Sequence, residues 1–125
     1  MTTTILPKIS LPSTLSTMTS HYHPKLVAIL NSSIEFRVSK MRGPFLWHAH
    51  HSTDELYYVL DGGPFILKVR RVFDDPSSEE TVVLHKGEIF VTPRGVQHLP
   101  CPEEEVSVRF AESKEEETAG DVKDS

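Results

Sequence analysis

Short apolar runs of period two, turn residues every several positions and the absence of a convincing helical window together predict an all-β fold. About eight such runs fall within residues 23–112, and that many short strands with regular punctuation indicate a sandwich or a barrel.

The runs follow one another closely. Residues 26–30 form a short apolar stretch, and in 33–38 the residues Ile34, Phe36 and Val38 share one face. Residues 45–50 and 55–60 come next, then the long run 65–73, where Phe65, Leu67 and Val69 alternate with Ile66, Lys68 and Arg70. Asp74-Asp75-Pro76-Ser77-Ser78 is a turn by composition, and residues 81–85, 88–92 and 106–112 complete the set. Gly62-Gly63-Pro64, Lys86-Gly87 and Pro93-Arg94-Gly95 separate strands; the last suits a tight turn with Pro at its second position and Gly at its fourth. In Leu56-Tyr57-Tyr58-Val59-Leu60 both faces are apolar. One face can fill the interior, and the other needs cover from N-terminal strands or a second subunit, so a homodimer is expected.

Size and charge narrow the functional classes. A chain of 125 residues, 38% apolar and 25% charged, supports a single core. The net charge of −5 is uneven: nine acids and three bases lie from Glu103 onward, against nine acids and ten bases before it. Residues 1–22, rich in Ser and Thr and broken by Pro7 and Pro12, read as a disordered lead-in, and residues 113–125 as an acidic disordered tail. No Lys/Arg cluster offers a footprint for nucleic acid or an anionic membrane, and no run is long enough to span a bilayer. Cys101 is the sole cysteine and no signal-peptide pattern is present, so a reducing, cytoplasmic location is expected.

The chemistry concentrates in WHAHHSTDELYYVLDGG, residues 47–63. Side chains two apart on a strand share a face, so His48 and His50 point together and His51 points away. Glu55 opens the next strand, close enough to return a carboxylate toward the two imidazoles. Such a set suits Fe, Zn, Ni or Mn, and the lack of a cysteine cluster argues against a structural zinc site. A buried, hydrogen-bonded His48 with exposed His50 and His51 explains the same local pattern equally well.

A second stretch, GEIFVTPRGVQHLPCP at residues 87–102, supplies His98 just beyond a turn. Together the two stretches resemble the cupin superfamily. Residues 43–62 are similar to its first motif, G-x5-H-x-H-x(3,4)-E-x6-G, through His48, His50, Glu55 and Gly62. Residues 87–98 are similar to the second, G-x5-P-x-G-x2-H-x3-N, through Gly87, Pro93, Gly95 and His98. Gly43 stands one residue closer to His48 than the pattern asks, and Pro102 occupies the place of the final Asn. HPKLVAILN before the motifs and ETAGDV after them resemble the flanks of small single-domain cupins carrying a WHxHxxxDE signature.

The resemblance implies a jelly-roll barrel, or double-stranded β-helix, over residues 23–112. It also implies a divalent transition metal held by His48, His50, Glu55 and His98. Six-coordinate, such an ion keeps positions open for water, substrate or dioxygen. The expected function is a metal-dependent enzyme of decarboxylase, isomerase, lyase or dioxygenase type, acting on a small carbonyl- or carboxylate-bearing metabolite. Tyr57, on Glu55's face, is the candidate catalytic side chain, able to orient substrate or move a proton. The family also contains non-catalytic members, so a ligand-binding or sensing module is the alternative, and a domain with a vestigial site is a third reading. His51 is expected in a loop near the mouth of the site. His21, His23 and His85 have no partner at useful spacing, Trp47 is packing, Cys101 is a small buried thiol and Arg94 is solvated.

Overall fold

β-Branched and aromatic residues at alternate positions give several strands one apolar face, and two sheets bury those faces against each other. The structure, a computed structural model, describes residues 2–114 and 121–122. Among them are β1 (Lys25–Leu30), β2 (Ile34–Met41), β3 (His48–Ala49), β4 (Glu55–Gly62) and β5 (Phe65–Arg70). They continue as β6 (Glu79–Leu84), β7 (Ile89–Thr92), β8 (Gln97–Pro100), β9 (Val106–Ser113) and β10 (Asp121–Val122). One five-stranded sheet has the order β1-β2-β9-β4-β7 and the other β10-β3-β8-β5-β6. All pairings between these strands are antiparallel. From β2 to β5, and again from β6 to β9, successive strands change sheet. That crossing winds the chain into the expected jelly-roll barrel.

The core lies between the sheets. Val59, Val106 and Val108 from one sheet meet Phe65 and Leu67 from the other, all at 0% exposure. Tyr57, Phe110 and Met41 extend this layer, with Tyr57 and Phe65 ring centroids 5.1 Å apart. The alternation of β5 holds as read: Phe65, Leu67 and Val69 face inward.

On β2 the apolar face turns the other way. Register places Glu35 opposite Glu112, Arg37 opposite Phe110, Ser39 opposite Val108 and Met41 opposite Val106, so the inner row begins with polar groups. Ile34, Phe36 and Val38 therefore lie on the outer face, where the guanidinium of Arg109 stands 6.0 Å from the Phe36 ring and 4.9 Å from that of Tyr58.

Several local expectations are corrected. The lead-in contains a short helix, α1 (Leu11–Ser16), capped by Ser10, whose hydroxyl accepts from the Ser13 amide at 3.3 Å. Ser and Pro there serve as cap and first-turn residues rather than as markers of disorder. The run 65–73 stops at Arg70, because Asp74 takes a left-handed conformation (φ 62°) and Pro76–Ser78 forms a 3-10 turn. In the turn at 93–95, the Val96 amide donates to the Pro93 carbonyl at 3.1 Å, so Pro93 is first and Gly95, with φ +82°, third. Two paired segments escaped the pattern. β8 lacks apolar alternation and ends on Pro, while β10 falls in the segment read as tail. Residues 115–120 and 123–125 of that segment lie outside the described residues. No helix among the described residues is long and apolar enough to cross a membrane.

Gly62 closes the first motif for a steric reason. Its φ is +71°, and a Cβ there would collide with the Glu105 carbonyl oxygen. Gly43, at φ +76°, has open space around it. Gly43→Ala is expected to carry only the left-handed backbone cost of about 1–2 kcal/mol. Gly62→Ala should destabilise further, read as a lower midpoint in urea; equal midpoints would show that the collision with residue 105 is relieved at no cost.

Candidate metal centre

Backbone pairing brings the imidazoles together before any side chain is considered. β3 and β8 set His48 directly opposite His98, so both rings leave the sheet on the same side. Their centroids are 4.1 Å apart. His50 follows two residues on, with its carbonyl accepting from the Gly95 amide at 2.8 Å. The second motif's turn thus pins the first motif's second histidine. Glu55 opens β4 in the facing sheet, opposite Glu112 on one side and Thr92 on the other. His48, His50, Glu55 and His98 are 0–4% exposed, and each offers a ligand atom within 4.8 Å of the others.

The tautomers follow from what each ring touches. His48 Nδ1 lies 2.7 Å from the Leu46 carbonyl and His98 Nδ1 lies 2.9 Å from the Val96 carbonyl. A carbonyl oxygen can only accept, so both Nδ1 atoms carry the proton and, in the neutral rings, leave Nε2 as a lone pair. His98 Nε2 is then 3.2 Å from Glu55 Oε1, and His50 Nε2 is 3.6 Å from Glu55 Oε2. A lone pair facing a carboxylate oxygen repels it unless a proton or a cation lies between them. Three imidazoles and one carboxylate are also a donor set that divalent transition ions accept. The residues present therefore fit the metal that the motif resemblance implies.

The surroundings tune these groups. Burial, with the His98 ring adding to it, lowers the pKa of His48 to about 4, so this imidazole is neutral near pH 7. Burial alone would raise Glu55. The hydrogen bond with His98, the adjacent His98 and His50 rings and a hydrogen bond with Glu112 outweigh it and hold the carboxyl well below its usual range. The Tyr57 hydroxyl donates to Glu55 Oε1. Burial, then the Glu55 charge, pushes the phenol well above 10, so Tyr57 keeps its proton at neutral pH. It is a donor there, not a base.

All five expected site residues meet in this place. His51 is exposed, as expected of a loop residue, with its ring 5.8 Å from Phe73. Trp47 is buried outside the site, with the Arg70 guanidinium 4.0 Å over its ring. Arg94 is exposed and pairs with Asp54 at 3.6 Å. Two minor readings change: His21 does have a partner, Glu105 at 2.8 Å, and Cys101 is half-buried rather than buried.

Sequence reasoning missed Glu112. It is 4% exposed, hydrogen-bonded with Glu55, and its Oε2 lies 3.8 Å from His50 Nδ1. The signal was present, since Glu112 continues the alternating face of Val106, Val108 and Phe110, where a charge is out of place. The site opens into a cavity of about 370 Å³ that reaches His48, Glu55 and Tyr57. Tyr22 and Phe45 form part of its wall; Tyr22 lies in the segment read as lead-in, and Phe45 opens the run 45–50, of which only His48–Ala49 pairs as a strand.

A two-sheet β-barrel with three histidines and a glutamate converging inside it defines the metal-centre class of jelly roll. Residues 35–111, more than half of the chain, match the Cupin domain family (Cupin_2), and the protein belongs to that family. A solved cupin-2 domain protein from Shewanella frigidimarina is 31% identical, with 85% of this chain and 94% of that one covered at a TM-score of 0.70. At lower identity the likeness is one of fold. A hydroquinone 1,2-dioxygenase from Sphingomonas, solved with 4-hydroxybenzoate bound, is 17% identical, with 80% and 70% covered and a TM-score of 0.62. A DMSP lyase from Ruegeria pomeroyi is 20% identical, with 70% and 41% covered and a TM-score of 0.54. A search of curated proteins returned no significant match.

The shift of His48 has a consequence for the metal-free protein. Its folded pKa of about 4 lies below its ordinary value of 6.5, so an unfolded chain takes up a proton that the folded one refuses. The stability associated with neutral His48 is present above pH 6.5 and lost as pH falls toward 4. Denaturation midpoints of the metal-free protein should drop across that window, and His48→Asn should flatten the drop.

Proposed function

We propose that this cupin binds about one divalent transition metal per chain through His48, His50, Glu55 and His98, and uses it as a metal-dependent enzyme. The substrate is a small carbonyl- or carboxylate-bearing metabolite. One observation carries the reading: on His48 and His98 the backbone occupies Nδ1, so Nε2 is the atom left to a ligand, and on His98 it faces an ionised carboxylate. When bound, the metal supplies Lewis acidity toward an oxygen of the substrate, or a place for dioxygen if it is iron. The dioxygenase and the lyase of similar fold lend support to each of these chemistries without choosing between them.

The protein's own groups divide the remaining work. Neutral His48 needs no proton loss before it can ligate, and Glu55 is already ionised. Tyr57 holds Glu55 through its hydroxyl, whose one proton is committed to that carboxylate, and its side chain lines the cavity. Glu112 steadies Glu55 from the neighbouring strand. The barrel walls leave the four donors only 0–4% exposed, with the cavity as the way in to His48 and Glu55. Half-buried Cys101, with no second cysteine in the sequence to bridge to, suits a cytoplasmic setting.

Elemental analysis of untagged protein tests the metal directly. His98→Ala should lose most of the metal while circular dichroism keeps the β signal, and His51→Ala should change neither. Glu55→Gln, which alters the charge but not the shape, should abolish turnover more than it weakens substrate binding. A metal-loaded protein that binds a small acid tightly without turnover, in air and without it, would instead favour the sensing module. No metal uptake by the native chain would end both readings.

A homodimer belongs to the same proposal. The outer face of β4 and β7 presents Leu56, Tyr58, Ile89 and Val91, with Ile89 57% exposed, and a second copy of the chain is the proposed cover. Light scattering at micromolar concentration should give twice the chain mass; a monomer mass removes this part.

A further inference from the structure

We infer that the substrate is a single aromatic ring carrying its oxygen donor at the metal end and no second charged group. This deepens the metal-enzyme reading and rests on it for the donor end alone. The cavity beside the metal cluster is built of two unlike halves. Its inner end holds His48, Glu55 and the protonated Tyr57 hydroxyl. Its remaining wall is mostly apolar and aromatic; the polar groups there are exposed His23 and the hydroxyls of Ser39 and Tyr22, which donate to the Lys40 and Gly43 carbonyls. Tyr22 and Phe45 stack with centroids 4.9 Å apart at 21°, and Met41, Pro100 and Phe110 continue the surface. Phe45 meets His48 edge-on at 5.5 Å, so the aromatic wall runs directly into the metal cluster.

Size and charge both limit what fits. A volume of about 370 Å³ sits at the small end of ligand pockets, and an apolar cavity of about 150 Å³ already holds a benzene ring. One ring with substituents fits. Three neutral imidazoles, one carboxylate and a divalent ion leave one net positive charge, which a single anionic oxygen neutralises. None of the described lining residues is Lys or Arg, and the one further imidazole, His23, is exposed to water, where an ion pair contributes little. A second carboxylate or a phosphate would lose hydration there without a Lys or Arg to pair with. A flat ring instead finds aromatic faces to stack on, beyond the area it buries.

The test uses the full chain, with metal content measured first and binding then followed by calorimetry. The probes are benzoate and hydroquinone, their saturated counterpart cyclohexanecarboxylate, and the dianions malonate and oxaloacetate. Benzoate or hydroquinone should bind at least about tenfold more tightly than either dianion, and more tightly than the saturated ring. Phe45→Ala should weaken the aromatic probes by about tenfold while leaving metal content unchanged, and Phe45→Leu guards against loss of packing alone. Metal-loaded protein that prefers a dianion, or aromatic affinity that ignores both Phe45 variants, overturns the inference while the metal-enzyme reading stands. Aromatic binding by a chain that takes up no metal supports the apolar wall and overturns the metal-enzyme reading instead.

Discussion

The structure depends on one enforced juxtaposition: His98 Nε2 and the ionised Glu55 carboxylate held 3.2 Å apart inside the barrel, a contact that needs a proton or a cation between them. Neither group can turn away. His98 is pinned through Nδ1 to its own backbone two residues earlier and by strand pairing to His48. Glu55 is held by Tyr57, by Glu112 and by its place at the start of β4. Much of the barrel serves to keep these two strands facing each other, with Val59, Phe65, Leu67 and Val108 packed between the sheets. The burial that excludes water also keeps His48 uncharged, so one constraint prepares both the position and the protonation of the cluster.

The large features of this arrangement were legible because they obey simple periods. Alternation in residues 65–70 marks a core strand, and Gly62 and Gly63 with positive φ mark its start. His48 and His50 lie two apart, and the spacing from Gly87 to His98 matches a known motif. What stayed hidden has physical reasons. Glu112 sits in an otherwise apolar alternation, and its meaning appears only when β9 lies between β2 and β4. The inner face of β2 is Glu35, Arg37, Ser39 and Met41, so the rule that the apolar face points inward fails there. β8 is too short and too polar to announce itself, and its pairing is decided by the barrel rather than by propensity.

Tyr57 shows how burial assigns a role. On sequence grounds it could donate or accept a proton. Placed at 2% exposure beside a negative carboxylate, its phenol cannot ionise near neutral pH, and it remains a donor. Its hydroxyl and the His98 ring converge on the same oxygen of Glu55, Oε1. The charge of Glu55 is thereby shared among neighbours that all come from different strands, namely β4 itself, β8 and β9.

Part of the cavity wall comes from segments that carry none of the four donors. Tyr22, His23 and Pro24 precede β1, and Phe45 stands in the irregular link before β3, whereas the four donors lie on or beside the strands of the two motifs. Exchange of residues in the lead-in and in that link changes the size and polarity of the chamber and leaves the donors with their backbone supports. Inheritance can therefore act on the two separately. A lineage can reshape its chamber through the irregular segments while the barrel passes on the same cluster of donors.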